Sequence, residues 1–483
     1  MRALTAPLYE LSEFEEIRKL LKKPGKYAAL TGCVESQKLH MAYGLSEGLR
    51  CRLIVTFSDQ RMKELQEDYR FYDRNTTCFP ARDVIFYQAD IHGNQLTKER
   101  IRCFRRMMEG RPFTVVTTFG SLLAPQIPLS VFRDNVITVS CNGSLDEKKM
   151  AEELVNLGYE NVYQVEAPGQ FSIRGGIIDI FDLIEENPYR IELWGDDVES
   201  IRSFDVQSQR SIEKLSSITI YPACELILTE EQLKKGMERI EKESKRFSEK
   251  LRKEFKTEEA HRVEEQMNTL KEEVFAYKSL ANLDGYVRYF YEDTVSFLNC
   301  LDVENSIVFL YEPARIREHA SAVELEFRES MSHRLEKGYI LPGQADFLYS
   351  VAEVTARMSA FRLASLAALD LKGGLLKPDW KADISAKSIS SYNNSFEALV
   401  SDLQRYKKNG YRVLLLSGSR TRAKRLAADL SEDGLTSFYT EDPDREIKPG
   451  EIMTFYGRVF RGFEYPLLKF AVISESDIFG AEK

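Results

Sequence analysis

The sequence predicts an α/β protein in which two parallel-sheet units flank a small α+β unit. In the first and last parts of the chain, short apolar runs typical of buried strands alternate with amphipathic helical stretches. This order implies parallel strands joined by right-handed crossovers. Residues 171–210 differ, because they combine β-branched and aromatic side chains with closely spaced turns.

The first unit begins with an amphipathic helix over residues 14–22, which Pro24 and Gly25 end. Strands and helices then alternate along the chain. The strands are predicted over 27–31, 51–56 and 113–118, and the helices over 36–43, 59–71 and 97–108.

The loop after the first strand lies where a nucleotide-binding P-loop, G-x-x-x-x-G-K-[ST], would be. Gly32 and Lys38 keep their positions, but Gln37 replaces the second glycine and Leu39 replaces the hydroxyl residue that holds magnesium. Glu35 also adds a carboxylate that would repel a triphosphate. The sequence therefore predicts an inactive P-loop, without catalytic residues, cofactor or metal ion.

The middle unit opens with a strand over 136–140 and a helix whose S-x-x-E cap starts at Ser144. Turns are expected at three later places, namely Gly175-Gly176, Asn187-Pro188 and Gly195-Asp196. One face of this sheet should be dry, and the other should carry the charged residues Arg174, Arg190, Glu192 and Arg202. Such a face is either a docking surface for carboxylates, which arginine binds with two donors, or a solvated outer face.

A helical arm and a second strand-and-helix unit follow. Thr229 opens a capping box, and the apolar spacing up to Tyr277 fits two helices packed on their own unit or a short coiled-coil seam. Gly418 and Ser419, between a strand and a helix, are interpreted as a helix cap rather than a phosphate-binding loop. The other elements are strands 216–221, 307–313, 411–417 and 467–474 and helices 314–335, 396–409 and 420–430.

Composition excludes several function classes. A net charge of −9 argues against broad binding of nucleic acid, although a local basic patch remains possible. The seven cysteines form no CxxC pair, which predicts reduced thiols and no zinc site. The acidic N-terminus is not a signal peptide, and no apolar run is long enough for a membrane helix, so we expect a cytoplasmic protein without membrane contact.

Two stretches carry a resemblance to known families, RGGIIDIF at 174–181 and RIELWGDDVESIRSFDVQSQRS at 190–211. They resemble a signature shared by the bacterial transcription-repair coupling factors and the excision-repair subunit UvrB, and the SQRS ending favours the coupling factors. The resemblance implies a UvrB-like domain split by an insertion. The expected parts are 1–124 and 212–360 for its two halves, 125–211 for the inserted UvrA-binding domain, 361–394 for a linker and 395–483 for a small α/β domain.

The resemblance implies UvrA as the partner of the inserted domain, with Arg174 as the main contact and Phe181 and Asn161 as weaker ones. Relatives often carry an arginine after the Gly-Tyr that ends the helix, where this chain has Glu160 and Asn161. The alternatives are core packing for Phe181 and a rim salt bridge for Arg174.

The resemblance also implies a non-catalytic module of a longer protein. The full-length family protein is an ATP-dependent translocase that displaces stalled RNA polymerase on duplex DNA, through parts that this chain lacks. The stretch around Tyr87 is too short for the aromatic hairpin with which UvrB grips damaged DNA. The alternatives are a nucleotide-dependent helicase fragment and a DNA-clamp module.

Overall fold

The computed structural model describes residues 1–82, 93–276, 280, 283–291 and 293–480. It is a mixed α/β protein with four sheets, and the predicted fold class is confirmed. The stretch around Tyr87, from which the absence of a long aromatic hairpin was predicted, lies outside the described residues, as does Tyr277 at the end of the helical arm.

The N-terminal sheet has seven strands, and all of them are parallel. Its strands come from both sides of the middle unit in the chain, so the middle unit is an insertion between them. In spatial order the strands are Trp380–Asp383, Tyr27–Thr31, Arg362–Leu366, Ser306–Tyr311, Cys51–Thr56, Phe113–Thr118 and Thr77–Phe79.

Two of these strands, Arg362–Leu366 and Trp380–Asp383, come from residues 361–394, which were predicted as a linker. Arg362–Leu366 lies buried in the sheet. A charged residue can begin this strand because the Arg362 guanidinium donates to four main-chain carbonyl oxygens. The acceptors are Leu21 at 2.8 Å, Lys22 at 3.0 Å, Glu304 at 2.7 Å and Val303 at 3.3 Å.

Helices cover both faces of the N-terminal sheet. Those before the insertion are Arg2–Thr5, Ser12–Leu20, Glu35–Leu45, Asp59–Tyr69, Gly93–Met108, Phe119–Leu122 and Leu129–Asp134. Those after it include the predicted long helix, observed as Pro313–Glu336, and the shorter Val287–Phe290, Pro342–Ala345 and Val351–Met358.

The helical arm consists of Glu230–Lys253 and Thr257–Lys271, extended by a π-helical turn at Glu272–Ala276. The predicted capping box at Thr229 is present. The two helices contact each other, with Arg252 bound to Glu264 at 2.8 Å. The arm therefore packs on its own chain, as the first of the two sequence interpretations expected.

The middle unit has a six-stranded sheet and a two-stranded ribbon, Ile137–Ser140 paired with Ser217–Ile220. The sheet order is Ser211–Leu215, Asp197–Phe204, Tyr189–Trp194, Ile177–Ile180, Gln170–Arg174 and Glu160–Asn161. The helix Glu147–Asn156 buries Met150 and Leu154 in the core that this sheet shares. Its cap is Asp146 rather than the predicted Ser144, because the Asp146 carboxylate accepts the N–H groups of the first turn.

The C-terminal unit is a six-stranded mixed sheet. Its order is Lys387–Ser388, Phe463–Tyr465, Phe470–Ser474, Arg412–Ser417, Ile452–Tyr456 and Ser437–Tyr439, and the last four strands are parallel. The helices Phe396–Lys408 and Arg420–Glu432 and the short Glu475–Phe479 accompany it. One hydrophobic core contains residues of both the N-terminal and the C-terminal sheets, including Leu30, Ile54, Leu414 and Phe463.

Candidate partner-binding face and P-loop region

The charged face of the middle sheet forms as the sequence predicts. Strand register pairs Asp179 with Arg190 and Arg190 with Arg202, so these side chains lie in one row on one face. Arg174 and Glu192 lie in the neighbouring row of the same face. Arg202 binds Glu192 at 2.5 Å. The opposite face is dry, since its isoleucines are buried, among them Ile178, Ile191 and Ile201.

Asp179 organises the arginines on this face. Its carboxylate is only 2% exposed and accepts two hydrogen bonds from Arg190, at 2.7 and 2.8 Å. This bidentate bond raises the pKa of the Arg190 guanidinium. Arg174 lies farther from the same carboxylate, at 3.6 Å. Asp179 therefore holds Arg190 fixed. It also orients Arg174, whose guanidinium donors stay largely free for another partner.

Arg174 is the most accessible arginine of this group. Its side chain is 39% exposed, and its guanidinium lies 5.3 Å from the ring centre of Tyr163. Tyr163 is itself 83% exposed. A guanidinium stacked on an aromatic ring keeps its edge donors pointing outward, where a planar anion can meet them.

The two glycines after Arg174 shape the turn beside it. Gly175 and Gly176 have φ values of 55° and 82°, and they form a two-residue loop between the paired Arg174 and Ile177. Positive φ at both positions is the requirement of the tight hairpin turn that glycine pairs favour. The turn thus fixes the position of Arg174 at the end of its strand.

The other two predicted contacts are placed differently. Asn161 is exposed on the edge strand Glu160–Asn161, parallel to the strand that carries Arg174. Phe181 is 5% exposed, so its side chain packs in the core, which was the alternative interpretation of this residue. Sequence reasoning missed the roles of Asp179 and Tyr163. A signal for Asp179 was its place three residues after Gly176, in the strand between the strands that carry Arg174 and Arg190.

In the P-loop region, the loop's own N–H groups are already bonded. The N–H groups of Gly32 and Cys33 donate to the carbonyl oxygens of Ala368 and Ala367, each at 3.1 Å. A Cβ at Gly32 would lie 2.7 Å from the Asp383 carboxylate, so an acidic side chain touches the loop. A phosphate would need those N–H groups and would meet that negative charge.

The P-loop lysine is bound inside the protein. Lys38 is 4% exposed, and its Nζ lies 2.7 Å from Glu312 and 4.7 Å from the ring centre of Tyr311. Glu35 points to a second cation, since its carboxylate binds Arg61 at 2.9 Å. The P-loop lysine and the carboxylate that this chain adds to the loop therefore both have partners within the chain.

Side chains from the C-terminal unit complete this network. Gln37 accepts the N–H of Val34 at 3.1 Å and donates to the Tyr465 hydroxyl at 3.0 Å. His40 bonds the same hydroxyl at 2.7 Å, and burial lowers its pKa to about 4. Leu39 is fully buried in the shared core.

A buried carboxylate joins the P-loop helix to the C-terminal unit. Asp68 accepts hydrogen bonds from the Ser36 hydroxyl at 2.6 Å and the Phe460 N–H at 2.7 Å, and burial raises its pKa to about 6. The space left between Glu35, Arg61 and these groups is about 10 Å³, which is close to the room that one water molecule needs.

Comparison with known proteins finds similarity for the middle unit and for the chain as a whole. A family model described as "UvrB interaction domain" matches residues 137–226. The transcription-repair-coupling factor of Bacillus subtilis strain 168 is 30% identical over 408 residues, covering 84% of this chain. Those of Staphylococcus aureus strains Mu50 and MRSA252 are 25% identical over 486 residues, covering 100% of it.

The resemblance to the transcription-repair coupling factors is confirmed. The matched regions make up 34% of the Bacillus protein and 40% of the Staphylococcus proteins, so this chain spans well under half the length of these relatives. Across the part of the chain that the structure describes, no helix is long and apolar enough to cross a membrane. In that same part, no three acidic, histidine or cysteine side chains are grouped as metal ligands.

Proposed function

We propose that this chain is a non-catalytic recruitment module of transcription-coupled excision repair, and that it binds UvrA through the charged face of its middle sheet. The observation that carries the proposal is the state of Arg174, which is stacked on Tyr163, oriented by Asp179 and still accessible. The match of residues 137–226 to a UvrB interaction domain supports the middle unit as the place of binding.

Arg174 suits a carboxylate or another planar acceptor on the partner. The short bonds of Asp179 go to Arg190, and the 3.6 Å separation leaves Arg174 with donors to offer. Because Tyr163 and Asp179 already restrict the side chain, binding costs it less conformational entropy than a freely rotating arginine would lose. Asn161 adds an exposed amide on the edge strand, whereas Phe181 is buried and presents no accessible side chain to a partner.

The same proposal assigns no nucleotide to the P-loop. A triphosphate would have to break the Lys38–Glu312 ion pair and displace the N–H bonds of Gly32 and Cys33. Leu39 supplies no hydroxyl for magnesium, and Gln37 is engaged with Tyr465. In the whole protein, ATP-driven translocation on duplex DNA and contact with RNA polymerase would belong to parts beyond this chain, in the bacterial cytoplasm.

Titration of the chain with purified UvrA tests the proposal. We expect Arg174→Ala to weaken binding about 30-fold, because arginine anchors at interfaces often contribute roughly 2 kcal/mol, and Arg174→Glu to weaken it further. Lys149→Ala is the matched control, since Lys149 is a 76% exposed cation on the helix Glu147–Asn156. Equal affinity of all variants, with unchanged melting curves, would contradict the proposal.

An ATPase assay separates this proposal from a helicase fragment. We expect no turnover above background, with or without DNA. Turnover that DNA stimulates and that Lys38→Ala abolishes would show that the chain is an enzyme. Steep salt-dependent binding of plain duplex DNA would instead favour a DNA clamp.

A further inference from the structure

A large cleft lies between the C-terminal unit and the end of the helix Asp59–Tyr69, and no role has been assigned to it. Its volume is about 1160 Å³. Arg70, Phe71 and Arg74 line it from the N-terminal side. The two sides meet where Gly457 touches Phe71, and a Cβ at this glycine would lie 2.3 Å from the ring. Typical ligand sites measure roughly 300–1,000 Å³, so this cleft has room for a nucleotide-sized group.

The cleft lies at a topological switch point of the C-terminal sheet. The strand Arg412–Ser417 is flanked by Ile452–Tyr456 on one side and Phe470–Ser474 on the other, and all three are parallel. The carboxyl ends of the first two, at Ser417 and Tyr456, line the cleft. In open α/β sheets, ligands bind at the carboxyl ends of strands where the order reverses in this way.

Positive charge predominates in the lining. Five arginines face three carboxylates there, and these arginines are Arg70, Arg74, Arg422, Arg425 and Arg458. Arg74 and Arg458 are exposed and form no hydrogen bond or ion pair with the residues that the structure describes. They come from opposite sides of the cleft. Both guanidinium groups are therefore available to an anion bound in the cleft.

A carboxylate of the chain already occupies one anion position in the cleft. Glu475 accepts the N–H of Gly418 at 2.5 Å and binds Arg422 at 3.1 Å. Ser419 caps the helix that begins at Arg420, as the sequence predicts. The carboxylate of Glu475, bound to the Gly418 N–H and to Arg422, is an additional contact beside that cap. The pair shows which chemical group this wall of the cleft holds, namely an oxyanion.

Aromatic side chains stand beside these charges. Phe396 is 40% exposed and Phe479 is 59% exposed, and both line the cleft. Phe455 and Tyr456 line it as well and are partly buried. Arginines next to accessible rings are the combination that binds the phosphates and stacks the bases of single-stranded nucleic acid. An acidic peptide would use the arginines but would leave the rings without a partner.

We propose that this cleft binds nucleotide phosphates with a base stacked on its aromatic residues. Arg74 and Arg458 hold the phosphate, and Phe396 or Phe479 stacks the base. The ligand is either a free nucleotide or a segment of single-stranded nucleic acid, which share this chemistry. The site is separate from the charged face of the middle sheet, so its test is independent of UvrA binding.

Fluorescence anisotropy with a labelled oligothymidylate tests the site, and unlabelled ATP as a competitor distinguishes a free nucleotide from a strand. We expect Arg74→Glu combined with Arg458→Glu to weaken oligothymidylate binding on the order of tenfold and to flatten its salt dependence by about 1.4 in log–log slope. The matched control is Arg111→Glu combined with Arg210→Glu. It reverses the same charge at two exposed arginines outside the cleft, and we expect it to leave the salt slope unchanged.

Two further measurements address the stacked base. Phe396→Ala should weaken binding on the order of tenfold, whereas Phe255→Ala, which removes a 94% exposed ring in the helical arm, should not. An oligoglutamate of matched charge should compete poorly. The proposal is overturned if oligothymidylate and ATP both fail to bind, if both double variants lose affinity equally, or if oligoglutamate competes as well as oligothymidylate.

Discussion

Glu225 is the residue whose loss we expect to destabilise the fold most. It lies at the end of the middle unit, and its side chain is 7% exposed. Its carboxylate accepts Arg100 Nε at 2.8 Å and Arg82 Nε at 2.7 Å. Arg100 is 2% exposed and also donates to the Pro80 carbonyl at 2.7 Å, so the ion cluster ties the inserted unit to the N-terminal sheet.

Glu225→Gln should lower the free energy of unfolding because it leaves the buried Arg100 guanidinium without its anion. The Arg100 guanidinium would stay buried over the Phe79 ring, 4.0 Å from its centre, with one carbonyl oxygen as its main remaining acceptor. Breaking a buried ion pair on one side costs about 3–5 kcal/mol of unfolding free energy. Because glutamine keeps one acceptor oxygen, we expect a loss of about 3 kcal/mol.

The pH dependence of this loss has a defined sign. Burial alone would raise the pKa of Glu225, but the guanidinium groups of Arg100 and Arg82 outweigh it and lower the pKa below its ordinary value of 4.5. The contribution of Glu225 is therefore present above pH 4.5 and is lost as the pH falls through its lowered value. Wild type and Glu225→Gln should converge in stability under strongly acidic conditions.

Urea unfolding at pH 7.5 and at acidic pH measures the effect. Glu231→Gln is the control, since Glu231 is a 75% exposed carboxylate paired with Lys235, and its unfolding midpoint should not change. Adding Arg100→Met to Glu225→Gln should recover part of the stability, because the buried charge is then gone. A loss below about 1 kcal/mol for Glu225→Gln, or no recovery in the double variant, would refute this reasoning.

Three further changes test the packing around the two sites. Burial raises the pKa of Asp68 to about 6, so the wild type should gain unfolding free energy, on the order of 1 kcal/mol, as the pH falls from 7.5 to 5. Asp68→Asn should remove this gain in urea melts, and the same gain in both proteins would contradict the reasoning. Glu312→Gln should cost about 2 kcal/mol in the same melts, because it leaves Lys38 buried without its anion, and an unchanged midpoint would show that the pair is dispensable. Gly176→Ala should cost about 1 kcal/mol through its φ of 82° and should also weaken UvrA binding, whereas normal affinity would separate the turn from the site.

Local patterns predicted much of this fold. The alternation of strands and helices predicted the parallel sheets, and the Gly175-Gly176 pair predicted the hairpin turn beside Arg174. The charged face was predictable because strand side chains alternate, so residues two apart share a face. The inactivity of the P-loop stays a prediction, which depends on Gln37 and Leu39 at positions where a working P-loop has glycine and a hydroxyl residue.

Contacts between distant parts of the chain were not predictable in this way. Nothing near Lys38 in the sequence indicates that Glu312 is its anion, or that Tyr465 would bond Gln37. The buried strand at Arg362 was not predictable either, because a charged residue there depends on carbonyl oxygens that only the folded chain supplies. The arginine cleft likewise combines residues from the first and last parts of the chain.

Calorimetric titration of purified UvrA into the full chain tests the central proposal most directly. We expect saturable binding by the wild type in the absence of ATP, and a loss of that binding in Arg174→Glu while its melting curve stays unchanged. Wild-type affinity in Arg174→Glu, or the absence of saturable binding by the wild type, would contradict recruitment through the charged face.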